Sequence, residues 1–278
     1  MTDERRRIRR ILVGLDASEP SMEALRAAAR LAAELEAELE GVFVEDDDLL
    51  AFANLPFSRV TGDLSARARR MKQPELERAL RVQAQRARQA MMRVATTERV
   101  TWSFRVVRGN VARELLEAAQ GADLLSLGVA GGSARHRSRS GSMARRAVES
   151  SPASVLIQRG RRRHNPAVMV FPLVAPDEPV LGVAASLAKA HRWRLVVVIP
   201  PVADAAPFKA QLLARLADLD LEVRWLRPSF SGPRAALAEA AHIAGGGVLV
   251  IGAAHPLLDR DLLEDLVERS GCSLLIVR

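Results

Sequence analysis

The stretch GVAGGSARHRSRSGS, residues 128 to 142, carries the densest chemistry in the chain. Gly128 is followed after two residues by Gly131, and after nine more by Gly141-Ser142. Glycine tolerates positive φ and lets backbone N–H groups approach an anion closely. Gly141-Ser142 is placed to open a helix over 142–150, whose free N–H groups and positive dipole end favour a phosphate. The Ser142 hydroxyl adds a donor. The spacing is not that of a P-loop, which needs GxxxxGK[ST]; this loop holds no Lys. Nor is it a dinucleotide fingerprint, because Gly14 stands alone in the first strand–helix turn. Arg135, His136, Arg137 and Arg139 fall inside the stretch, either as further phosphate contacts or as a solvated loop.

A loop of this kind works only at the end of a parallel strand, and the chain supplies such strands. Ile11–Leu15 reads as a short apolar strand. Ser18 can cap the following helix, with Pro20 in its first turn. The apolar positions Leu25, Ala28, Ala32, Leu35 and Leu39 keep helical spacing, so the helix is expected to reach about Glu40. A strand over 41–44 follows, then an irregular segment over 46–73, a helix over 74–95 and a strand over 100–107. A helix capped by Asn110 runs to about Gly121, and a strand over 123–127 leads into the glycine stretch. A helix over 142–150 and a strand over 153–158 close the unit. Strands alternating with helices imply right-handed crossovers and a parallel, doubly wound α/β sheet.

The second half repeats this outline after a basic linker, GRRRHNP, residues 160 to 166. Strands are expected over 168–173, 195–199, 221–226, 248–251 and 273–277, with helices over 179–191, 208–219, 233–244 and 257–269. SPASVLIQR (151–159) matches SGCSLLIVR (270–278), and LLSLG (124–128) matches VLVIG (248–252). These pairings suggest duplication of one unit.

The chain has 278 residues, comfortable for two domains of about 140. No apolar run is long enough to span a membrane, and the run after MTDERRRIRR is too short for a signal-peptide core, so a cytoplasmic protein is expected. A single cysteine, Cys272, allows no internal disulfide. The formal net charge of +8 raises the question of a nucleic-acid partner. Only Lys72, Lys189 and Lys209 are Lys, and such Arg-for-Lys usage often reflects base composition. The interleaved aromatics that stack single-stranded bases are missing, so nucleic acid is not the expected partner. The five histidines, His136, His164, His191, His242 and His255, show no metal spacing.

The G-x2-G-x9-G-S spacing after a fourth strand resembles the nucleotide-binding signature of the universal stress protein family. ILVGLDASEPSMEALRAAARLA resembles that family's first strand, Asp-containing turn and first helix, and VFVEDD its second strand. The resemblance covers residues 8 to 159 well; over 167 to 278 it rests on the order of elements. It implies two tandem five-stranded parallel sheets of flavodoxin- or Rossmann-like type, in the adenine nucleotide alpha hydrolase-like group. It implies an ATP-binding domain over 1–159, the linker over 160–166 and a related domain over 167–278. It implies ATP as ligand, with Mg or Mn as companion cation. Asp16 matches the acidic residue near the nucleoside and metal, Val44 the backbone position that meets adenine, and Gly128, Gly131, Gly141 and Ser142 the ribose and phosphate loop. Leu127 and Met143 flank that loop. Family members commonly dimerise through the last strand; here the two halves can pair instead, through 153–158 and 273–277.

The chain departs from the family pattern in two places. Arg137, Ser138, Arg139 and Ser140 precede Gly141 where the family has apolar residues. The second half has Pro172 roughly where Asp16 stands, Asp177 too late in the chain, and no second or third glycine after Gly252. One competent and one degenerate site are therefore expected, in a stress-response regulatory module that partner proteins read. No base or water-orienting group near a γ-phosphate stands out, so the alternatives are weak ATP hydrolysis or a nucleotide-free interaction scaffold.

Overall fold

The computed structural model describes residues 8–53, 73–129, 137–159, 167–171, 178–199, 205–216, 221–227, 239, 247–255, 258 and 272–278. The first half contains β1 (Arg10–Leu15), α1 (Glu19–Leu35), β2 (Glu38–Asp46), α2 (Asp47–Ala53), α3 (Gln73–Glu98) and β3 (Trp102–Gly109). It continues with α4 (Val111–Ala118), β4 (Leu124–Val129), α5 (Arg137–Ser150) and β5 (Ser154–Arg159). The second half contains β6 (Ala167–Phe171), α6 (Glu178–His191), β7 (Arg194–Val198), α7 (Ala205–Leu216), β8 (Val223–Leu226), β9 (Val248–Gly252) and β10 (Ser273–Val277). The linker over 160–166 and the helices expected over 233–244 and 257–269 lie outside the described residues, apart from Glu239 and Leu258.

The strands form one mixed α/β sheet in the order β3-β2-β1-β4-β5-β10-β9-β6-β7-β8. Every neighbouring pair is parallel except β5 and β10, which are antiparallel. Each half thus has the doubly wound order 3-2-1-4-5, and the halves meet at their last strands. The inner strands β5, β6, β9 and β10 are buried at every position. They are near-continuous apolar runs, as strands covered on both faces must be. The edge strand β3 alternates exposed and half-buried residues instead.

The β5–β10 junction is reciprocal. The Arg159 amide donates to Ser273 Oγ at 3.0 Å, and the Arg278 amide donates to Ser154 Oγ at 3.1 Å. These are the residues paired in SPASVLIQR and SGCSLLIVR. Beside the sheet, α1 packs on α6 and Lys189 Nζ meets Glu34 Oε1 at 2.8 Å.

The segment expected to be irregular over 46–73 opens with α2, and several ends shift by a few residues; two differences bear on the crevice. The first helix ends at Leu35, not near Glu40, because Glu36 takes the left-handed conformation at φ 55° and the Ala37 amide bonds back to the Ala32 carbonyl. Leu39 is a β2 core residue paired with Ile11 and Trp102. The other difference is α5, which begins at Arg137 rather than at Ser142. No Pro or Gly stands in Arg137-Ser138-Arg139-Ser140 to stop a helix there.

Candidate functional site

Strand order reverses between β1 and β4, so the crevice past their carboxyl ends is the switch point where open α/β sheets hold ligands. Asp16 directly follows β1. The last pair in the β1–β2 register is Leu15 and Phe43; β1 ends there while β2 runs on to Asp46, so Asp16 and Val44 are the next residues along the two chains. The Asp16 carboxylate Oδ1 accepts the Ser18 amide at 2.9 Å, a turn that reverses the chain into α1. Ala17, within that turn, is held at φ 60°, a conformation ordinary L-residues rarely adopt. Ser18 caps α1 by accepting the Ser21 amide at 3.3 Å. The Asp16 side chain is therefore fixed and exposed at the mouth of the crevice.

Leu127, Val44 and Met143 belong to one apolar cluster, on the sheet face covered by α4 and α5. Leu127 is buried, while Val44 and Met143 are half-buried. An apolar face of this kind suits the flat side of a ring. Gly128 points to the other face. A Cβ there would lie 2.1 Å from the Pro20 carbonyl oxygen, so this glycine lets β4 pass against the first turn of α1. Gly131, Arg135 and His136 lie outside the described residues.

Gly141 and Ser142 lie inside α5 rather than at its start. The four amides that an α-helix leaves without an internal acceptor fall at its first turn, which here is the Arg137–Ser140 segment. The free N–H groups and the positive dipole end therefore belong to Arg137–Ser140, and the Gly141 and Ser142 amides serve the helix.

The three consecutive carboxylates Asp46, Asp47 and Asp48 are each engaged by the protein itself. Asp46 Oδ1 caps α2 by accepting the Asp48 and Leu49 amides at 3.0 and 3.4 Å. Asp47 binds Arg108 at 2.7 Å, and Asp48 accepts from Asn110 at 3.0 Å. Asn110 in turn caps α4 through the Arg113 amide. Among the described residues no group of three His, Cys, Asp or Glu side chains could hold a metal ion.

The equivalent crevice of the second half is built differently. After β9 the chain turns tightly, with the His255 amide on the Gly252 carbonyl at 3.0 Å. The His255 ring packs edge-on against Phe171 at the end of β6, with centroids 6.2 Å apart. Both side chains are buried, so two rings pack together at the end of β6, the strand that corresponds to β1. By sequence His255 shows no metal spacing; its packing role follows from its place three residues after Gly252. Pro172 and Asp177 lie outside the described residues. Cys272 is buried at the start of β10.

A doubly wound α/β sheet with a crevice at its switch point defines a broad class of ligand-binding proteins. Within it, the universal stress protein family model matches residues 7–159, and the chain belongs to that family. A universal stress protein from Archaeoglobus fulgidus DSM 4304 is similar over 97% of this chain and 98% of that one, with 15% identity and a TM-score of 0.63. A putative universal stress protein from Pseudomonas aeruginosa UCBPP-PA14 is similar over 98% and 94%, with 14% identity and a TM-score of 0.52. A universal stress protein in complex with cAMP is similar over 54% of this chain and 97% of that one, with 24% identity and a TM-score of 0.36. No curated protein matches the chain. No helix among the described residues is long and apolar enough to cross a membrane.

Proposed function

We propose that the first half of this chain binds an adenine nucleotide, ATP with Mg or Mn, and that the second half binds none. In this reading the protein is a tandem stress-response module of the cytoplasm, with a nucleotide-binding unit over 1–159 and a related, degenerate unit over 167–278. One observation carries the reading: the contrast between the two switch-point crevices. In the first, the exposed Asp16 follows β1, and Val44, Leu127 and Met143 belong to the apolar face covered by α4 and α5. In the second, Phe171 and His255 pack into each other. Adenine would lie along the apolar face by Val44. Asp16 would face the nucleoside and the cation, whose other ligands come from phosphate and water. The phosphates would meet the amides at the start of α5. When bound, the nucleotide supplies charge and a rigid link between β4 and α5; the chain's own residues position it.

The nucleotide-free scaffold is the second reading, favoured by the same helix. With α5 beginning at Arg137, Gly141 and Ser142 do not offer free amides, so phosphate binding depends on the Arg137–Ser140 turn. Titration calorimetry with Mg-ATP on the wild type and on Asp16→Ala separates the two. One ATP per chain, lost in Asp16→Ala, supports the nucleotide reading. Absence of heat in the wild type sinks it in favour of the scaffold. Binding only to the folded state also stabilises, by about 2.7 kcal/mol at a hundredfold excess over Kd.

A further inference from the structure

The outer face of α3 carries a concentrated run of positive charge. Between Glu77 and Glu98 this helix carries Arg78, Arg81, Arg86, Arg88 and Arg93 and no acidic residue. All five are exposed. Among the described residues none of the five guanidinium groups has an ion pair or hydrogen bond, whereas Arg30, Arg105 and Arg108 on neighbouring elements are bound to Glu98, Glu40 and Asp47. The opposite side of α3, with Leu76, Leu80, Ala84, Ala87 and Met91, is buried in the core. The charged side therefore has one fixed direction, toward solvent.

The spacing of these residues is ordered. At 3.6 residues per turn, Arg81 and Arg88 form one row and Arg86 and Arg93 a second, each pair about 10 Å apart along the axis. The strip between the rows carries Arg78, Val82, Gln85, Gln89 and Met92. Two rows of planar guanidinium donors flanking a strip with two amides suit phosphates on either side of the helix. Single strands are held by stacking on aromatics, and α3 has none. A membrane-surface helix needs a free apolar face, and here that face is spent on the core, leaving only Val82 and Met92 exposed. The lack of interleaved aromatics argues against base stacking and says nothing against a duplex backbone.

We infer that the exposed face of α3 is a docking surface for the phosphate backbone of duplex nucleic acid, bound without sequence preference. It lies apart from the β1–β4 crevice and does not depend on nucleotide. Anisotropy of a fluorescein-labelled DNA duplex of about 20 base pairs, titrated with the full chain, tests it. Five phosphate contacts give a log K against log salt slope of about −4.5, so affinity should fall on the order of 500-fold between about 50 and about 200 mM KCl. Arg81→Gln with Arg88→Gln should make the slope shallower by about two units. Arg81→Lys with Arg88→Lys should keep it, and Arg224→Gln in β8 should change nothing. Absence of duplex binding at about 50 mM KCl overturns the inference. So does an unchanged slope in the Gln variant with its circular dichroism intact, or preference for anionic vesicles or poly-glutamate over the duplex.

Discussion

At Gly128 a Cβ would lie 2.1 Å from the Pro20 carbonyl oxygen and 2.6 Å from the Ser21 amide nitrogen. Both neighbours are backbone, which cannot swing aside. This glycine thus has a packing reason independent of any ligand. Gly128→Ala is expected to cost about 1–3 kcal/mol in the absence of nucleotide, through forced separation of β4 and α1. A urea unfolding midpoint measures it. An unchanged midpoint together with lost ATP binding would make Gly128 a ligand residue alone.

At the scale of the element, α5 poses the sharpest question. Gly141 sits within its body, where glycine costs roughly 1 kcal/mol relative to Ala. Gly141→Ala should therefore raise the melting temperature of the nucleotide-free protein, by an amount matching about 1 kcal/mol. If ATP needs the helix to unwind to Gly141, the same variant should bind ATP more weakly; if the phosphates meet the Arg137–Ser140 turn, affinity should hold. Melting curves with and without Mg-ATP read both. The far end of α5 is held by the second half: the Arg278 guanidinium donates to the Val148 carbonyl, and burial lowers its pKa from the ordinary Arg value.

At the scale of the whole molecule, the two halves are held by a sheet junction and a helix seam. Ser154→Ala and Ser273→Ala each strand a backbone amide, that of Arg278 or of Arg159, and each should cost about 1 kcal/mol by chemical denaturation. The reciprocal geometry predicts similar costs; a large difference would break the symmetry argument. At the helix seam, the hydrogen bond and charge of Glu34 raise the Lys189 pKa above 10.5. The folded protein then holds that proton more tightly than the unfolded chain does. The stabilisation is complete below the ordinary Lys value and is lost as pH rises through the raised one. Lys189→Met should flatten that alkaline loss in thermal melts above about pH 10, and because the pair is exposed, salt should shrink the difference.

Much was legible in the sequence. The strand runs Ile11–Leu15, Leu124–Leu127 and Leu274–Val277, the caps at Ser18 and Asn110, and the matched ends SPASVLIQR and SGCSLLIVR are local signals, written in residue type and spacing. They determined an α/β chain of two similar halves, and the family resemblance over its first half. Other features were decided by tertiary contact. Leu39 keeps helical spacing with Leu35, yet hydrogen bonding to β1 and β3 draws it into a strand. The start of α5 was misplaced because a Gly-Ser pair reads as a helix opening when the preceding Arg-Ser run carries no stop signal. That Phe171 and His255 meet, and that Asp16 and Val44 follow the same register pair of β1 and β2, could be decided only by the folded sheet. Those pairs are 84 and 28 residues apart in sequence, and strand register, a cooperative property of the assembled sheet, brings each together.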